Sequence, residues 1–120
     1  MSEPSVTRPL TEPERQLAQW MLEHGIPDAL PFLGQLARAE ATTWRCACGC
    51  ASFNFKVAGK PEAPAGVNIL GDFIVGEAQE SYGVFIFQSQ GILSGVEVYS
   101  LGADAPQTLP EPQQLRPFGV

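Results

Sequence analysis

The sequence predicts an α+β protein in which an N-terminal helical hairpin packs on an antiparallel sheet of four or five strands, followed by an extended proline-rich tail. Three observations predict it. Apolar residues recur at helical spacing up to about residue 40, they alternate at strand spacing from Thr42 to Leu101, and prolines at 106, 110, 112 and 117 forbid helix in what remains. One domain is expected over residues 1–120, with a flexible N-terminus at 1–10, the helical hairpin at 11–40, the sheet at 42–101 and the tail at 102–120.

The first helix has a start signal. Thr11 followed by Glu14 matches a capping box, and Pro13 is tolerated in the first turn. Leu17, Trp20, Met21 and His24 form one stripe, and Gly25 and Pro27 end it. A second helix is expected to begin near Asp28, with Pro31 in its first turn and Leu30, Leu33, Leu36 and Ala37 on one face. After Ala41 the period changes. TTWRC, ASFNFKV, VNILGDFIV, YGVFIF and ILSGVEVYS read as successive strands without intervening helices, hence antiparallel. VFIF, residues 84 to 87, is apolar on both faces and predicts a central strand covered on both sides. Gly71 marks a bulge, and EAQESYG and QSQG mark tight turns. The predicted core includes Leu17, Trp20, Leu33, Leu36, Phe53, Phe55, Phe85 and Val96.

The tail APQTLPEPQQLRPFGV carries apolar anchors at Leu109, Leu115 and Phe118. They let it lie across the open face of its own sheet, or serve as a docking segment for another protein.

Composition narrows the function. A chain of 120 residues buries roughly 65% of its unfolded surface, enough for its own core. The net charge is -6, and the 7 basic residues are scattered singly, so nucleic acid and anionic membrane are poor partners, while a basic protein or a neutral ligand fits. No apolar signal segment opens the sequence, which points to the cytoplasm and to reduced thiols.

All three cysteines lie in WRCACGC. If Trp44, Phe53 and Phe55 share the core face, the loop joining their strands has an even number of residues, with Gly49 at positive φ, Cys46 buried, and Cys48 and Cys50 near the surface. A three-residue loop, Ala47 to Gly49, would instead put Cys46 opposite Cys50 within disulfide range and turn Trp44 away from Phe53. The even loop is expected. A structural zinc needs four ligands, and the chain offers Cys46, Cys48, Cys50 and His24. The opening C-A-C-G resembles half of the zinc motif at the tail of the bacterial translocation ATPase, but the second half is absent, so those ligands do not carry over. His24 continues an apolar stripe and reads first as a packed helix-end residue.

No catalytic constellation is evident: a single histidine serves no nucleophile well, Asp72, Glu77 and Glu97 read as solvent-facing strand residues, and no glycine-rich phosphate loop occurs. The L-T-x-x-E-R helix start, W-R-C-x-C-G-C, G-x-L-S-G-x-E-V-Y-S and L-P-x-P-x-x-L-R-P resemble a group of small uncharacterised bacterial proteins, from Leu10 to Phe118. The resemblance implies a shared fold and a bacterial cytosolic protein, and it supplies no activity, cofactor or catalytic residue. The expectation is a non-enzymatic protein-interaction module, accessory or immunity-like, with an unidentified protein partner and no cofactor. The alternative is a thiol-based zinc or redox site on Cys46, Cys48 and Cys50.

Overall fold

Helix α1 (Glu12–Glu23) begins at the expected cap. In the computed structural model, which describes residues 6–44, 47 and 49–117, Thr11 Oγ1 accepts from the Glu14 N–H at 3.2 Å, and Glu14 Oε1 accepts from the Thr11 N–H at 2.8 Å. Two orphan donors of the first turn are thereby satisfied. Leu17, Ala18, Met21 and Leu22 are fully buried on one stripe, and Trp20 packs at its border. Among the described residues, no helix is long and apolar enough to cross a membrane.

The molecule is α+β, and among the described residues seven strands form one antiparallel sheet in the order β1-β2-β3-β6-β5-β4-β7. The strands are β1 (Thr7–Arg8), β2 (Ala39–Thr42), β3 (Phe53–Val57), β4 (Asn68–Val75), β5 (Tyr82–Ser89), β6 (Ile92–Ser100) and β7 (Arg116–Pro117). β4, β5 and β6 form a meander. Residues 58–67 carry the chain from β3 past this meander to its far strand, a Greek-key connection. Gln90 and Gly91 both have positive φ and join Ser89 to Ile92, the two-residue turn whose twist suits a hairpin. The helical layer covers one face, where Phe73, Val84, Ile86, Val96, Val98, Phe53 and Phe55 form one core with Leu17, Met21 and Leu22 of α1 and Leu36 of the short helix after it.

Gly71 lies at the expected bulge, with the register shifting between Ile69 and Gly71. There the chain leaving α1 touches the sheet. The Ile26 N–H donates to the Leu70 carbonyl at 2.8 Å, and a Cβ on Gly25 would stand 2.2 Å from that oxygen, so only glycine fits.

Several expectations are corrected. The sheet has seven strands, because two-residue strands from the N-terminal segment and the tail cap its edges. Residues 1–10 therefore include a paired strand at Thr7–Arg8. The second helix is a 3-10 helix (Pro27–Phe32) followed by a single α-turn, α2 (Leu33–Leu36). Pro31 removes an N–H and blocks the carbonyl one turn earlier, which an α-helix cannot tolerate in its interior. Leu30 is accordingly exposed, and Ala29 is buried instead. Phe85 is half-exposed on the face away from the helices. Ala41 pairs with Phe55 and Ala39 with Val57, so the small alanines, not Trp44, face the core opposite large residues. This is the register of the three-residue alternative, and it leaves Trp44 47% exposed. Gly49 does take a positive φ, +82°.

β1 is tied to α1 by a bidentate pair, with Arg8 Nη1 and Nη2 donating to Glu14 Oε1 and Oε2 at 2.8 and 2.7 Å. Burial alone would raise the Glu14 carboxyl, but the bonds from Arg8 and Thr11 outweigh it and hold it below the ordinary value. A carboxylate whose folded pKa is depressed stabilises the fold above its unfolded pKa, about 4.3, and loses that contribution as pH falls through the folded value. Glu14→Gln is therefore expected to lower Tm at pH 7, and the difference from the unsubstituted protein to shrink progressively as pH falls below about 4.3, as read by thermal unfolding across that range.

Candidate functional site

Paired residues in an antiparallel ladder share a face, so the register defines what the uncovered side of the sheet presents. One row across β4, β5 and β6 is Asp72, Phe85 and Glu97. Its neighbour on one side is Ile74, Gly83 and Tyr99, and on the other Ile69, Phe87 and Gly95, continued by Asn54 of β3. The rings of Phe85, Phe87 and Tyr99 form a group, with Phe85 5.5 Å from Phe87 and 5.7 Å from Tyr99 between centroids. All three are half-buried.

Two glycines allow this arrangement. Tyr99 lies over Gly83, where a Cβ would stand 2.0 Å from its ring carbon Cζ, and Phe87 lies against Gly95, 3.1 Å from where a Cβ would be. An aromatic ring beside a cross-strand glycine covers backbone that has no side chain of its own. Tyr99 Oη donates to Asp72 Oδ1 at 2.7 Å, which fixes both side chains. Burial, and then the bond to Asp72, raise the Tyr99 phenol well above its ordinary value.

Beside this aromatic group a cleft of about 630 Å³ opens between the 58–67 connection and the end of β2. Trp44, Phe87 and Pro64 supply apolar walls, and Thr42, Asn54 and Glu62 supply polar ones. The connection is anchored where Ser89 Oγ donates to the Ala65 carbonyl at 3.2 Å. Phe87 belongs to both features, so cleft and aromatic face are continuous.

Of the residues singled out in the sequence as ligands or anchors, Cys50, His24, Leu109 and Leu115 lie elsewhere. Cys50 is buried, not near the surface, with Sγ 3.3 Å from Ser52 Oγ. Ser52 in turn accepts from the Val98 N–H at 3.0 Å, and the Ala51 N–H donates to the Pro106 carbonyl, so this segment docks against β6 and the start of the tail. Cys46 and Cys48 lie outside the described residues. His24 caps the end of α1, its ring stacked on Trp20 at 4.0 Å and its Nδ1 2.8 Å from the Trp20 carbonyl. Among the described residues, no group of three or more His, Cys, Asp or Glu side chains is placed to hold a metal ion. Leu115 is buried and Leu109 packs against the same core, while Phe118 lies outside the described residues.

The described part of the tail, up to Pro117, does not cross the uncovered face. It runs at the sheet edge, where Arg116 and Pro117 pair with β4, and its 3-10 turn lies near α1. The sequence places Phe85, Phe87 and Tyr99 on strands, with Phe85 in the core, and gives none of them a site. Their alternation with Ile86 and Val98 defines two faces, and it does not say which side the helices take. No protein-family model matches this chain, and no curated protein or solved structure matches it.

Two outcomes are expected. Cys50→Ala should lower stability by about 1–2 kcal/mol through lost packing, read by denaturant unfolding. Gly83→Ala should displace the Tyr99 ring, lower stability by about 1–2 kcal/mol and bring the Tyr99 phenol down towards its ordinary pKa, read by ultraviolet absorbance during alkaline titration.

Proposed function

We propose that this protein is a non-enzymatic, cytoplasmic interaction module that binds another protein on the uncovered face of its sheet. The observation that carries the reading is the group Phe85, Phe87 and Tyr99, half-exposed at the centre of a seven-stranded sheet whose helices and tail occupy the other face and one edge. Contiguous aromatic surface on a folded chain is unfavourable in water and marks a contact site more often than scattered apolar residues do. Trp44 extends the surface through the cleft, and tryptophan and tyrosine give large contact area at small loss of side-chain freedom. The acidic charge supports association with a partner of opposite sign.

Site-directed photo-crosslinking in the source cells tests this. A benzophenone amino acid in place of Phe85 should give one discrete protein adduct, which Trp44→Ala or Phe87→Ala in the same chain removes. The same group in place of Gln16, exposed on α1, should give none. Equal adducts from both positions, or none from Phe85, would refute the reading.

A further inference from the structure

The uncovered face is aromatic at its centre and acidic around it. Asp72 and Glu97 flank Phe85 on the two neighbouring strands, each about 5 Å away across the ladder. Glu62 lines the adjoining cleft. Lys56 of β3, opposite Glu40, is a cation that the register assigns to this face, and its Nζ is turned onto the carbonyls of Val57 and Lys60. Arg8 is held by Glu14, and Arg116 donates to the Gly76 carbonyl at 2.7 Å.

Resting on the reading above, we infer that the occupant of this face is a basic segment of another protein, with an arginine seated on the Phe85 ring between Asp72 and Glu97. A guanidinium stacks on an aromatic face and pairs with carboxylates in its own plane, and this row offers both within one strand spacing. The hydrogen bond from Tyr99 Oη holds one carboxylate in place before the cation arrives. A second copy of this chain is a poor occupant, because face-to-face contact would set Asp72 and Glu97 against their own counterparts. The chain's own tail is already engaged, with Leu115 buried and Arg116 and Pro117 paired to β4. Anionic partners meet the wrong sign.

The test uses the full chain and a short acetylated peptide alternating arginine and valine. The comparator carries citrulline, the uncharged isostere, at every arginine position. The arginine peptide should shift the amide resonances of Phe85, Phe87 and Gly95 and bind at least about tenfold more tightly than the citrulline peptide. The double variant Asp72→Asn, Glu97→Gln should weaken it by at least about tenfold, whereas Glu12→Gln, Glu23→Gln on α1, with the same change in net charge, should weaken it by less than about threefold.

Equal weakening by the two double variants would mean undirected charge attraction and overturn the inference. If the citrulline peptide binds this face as well as the arginine peptide, the interaction-module reading stands and the cationic occupant falls. If neither peptide shifts these resonances, both fail.

Discussion

The fold depends on the pairing of β5 with β4 and β6, because β5 lies between them and carries Val84 and Ile86 on one face and Phe85 and Phe87 on the other. Val84 and Ile86 enter the core beneath α1, and Phe85 and Phe87 point the other way. A strand of this kind needs cover on both sides, and this chain has one helical layer. The second side is covered in part by the 58–67 connection, anchored on Ser89, and otherwise from within the sheet. Tyr99 and Phe87 lie against cross-strand glycines, and their rings shield each other and Phe85 from much of the water. The partial burial that results still leaves ring surface exposed.

The edges follow a different logic. The unpaired backbone groups at the edges of a sheet invite further strands, and among the described residues both outer positions are held by strands of only two residues. Pro117 cannot donate a backbone hydrogen bond, and Arg8 is drawn back onto α1 by Glu14. Edge growth is thereby blocked at little length of chain. The bulge at Leu70 and Gly71 serves the other face, where it brings β4 close enough for the Leu70 carbonyl to receive Ile26 just beyond Gly25. The end of the helix and the irregularity in the strand are one contact.

What was legible in the sequence were features set by neighbours along the chain. The Thr11 and Glu14 cap, the stripe of α1, the bulge at Gly71, the positive φ of Gly49 and the meander from β4 to β6 each rest on local chemistry. Features decided by volume across the fold were not legible. Trp44 looked like the anchor of the β2 register, yet Ala39 and Ala41 take the inward positions because Val57 and Phe55 opposite them already fill the space. The same choice moved Trp44 into the cleft and left Cys50, rather than a surface turn, facing the core beside Ser52. The tail has apolar anchors in either reading; the pairing of Arg116 and Pro117 with the edge of β4 fixes the path of the chain next to Leu115. The aromatic face belongs to the same group, since alternation names two faces and the position of the helices decides which one is left open.

An open aromatic face carries a hazard that its own charges counter. Three rings in contact would draw two copies of the chain together, as any exposed apolar patch tends to do. Asp72 and Glu97 stand in the row of the central ring, so a second copy brings carboxylates against carboxylates while it buries the rings. Repulsion then works against the hydrophobic gain in that pairing alone. With a cationic partner the sign reverses, and the same two groups add to the contact they otherwise oppose. Selectivity of this kind needs no pocket of special shape: it follows from placing acidic side chains directly across the ladder from a phenylalanine.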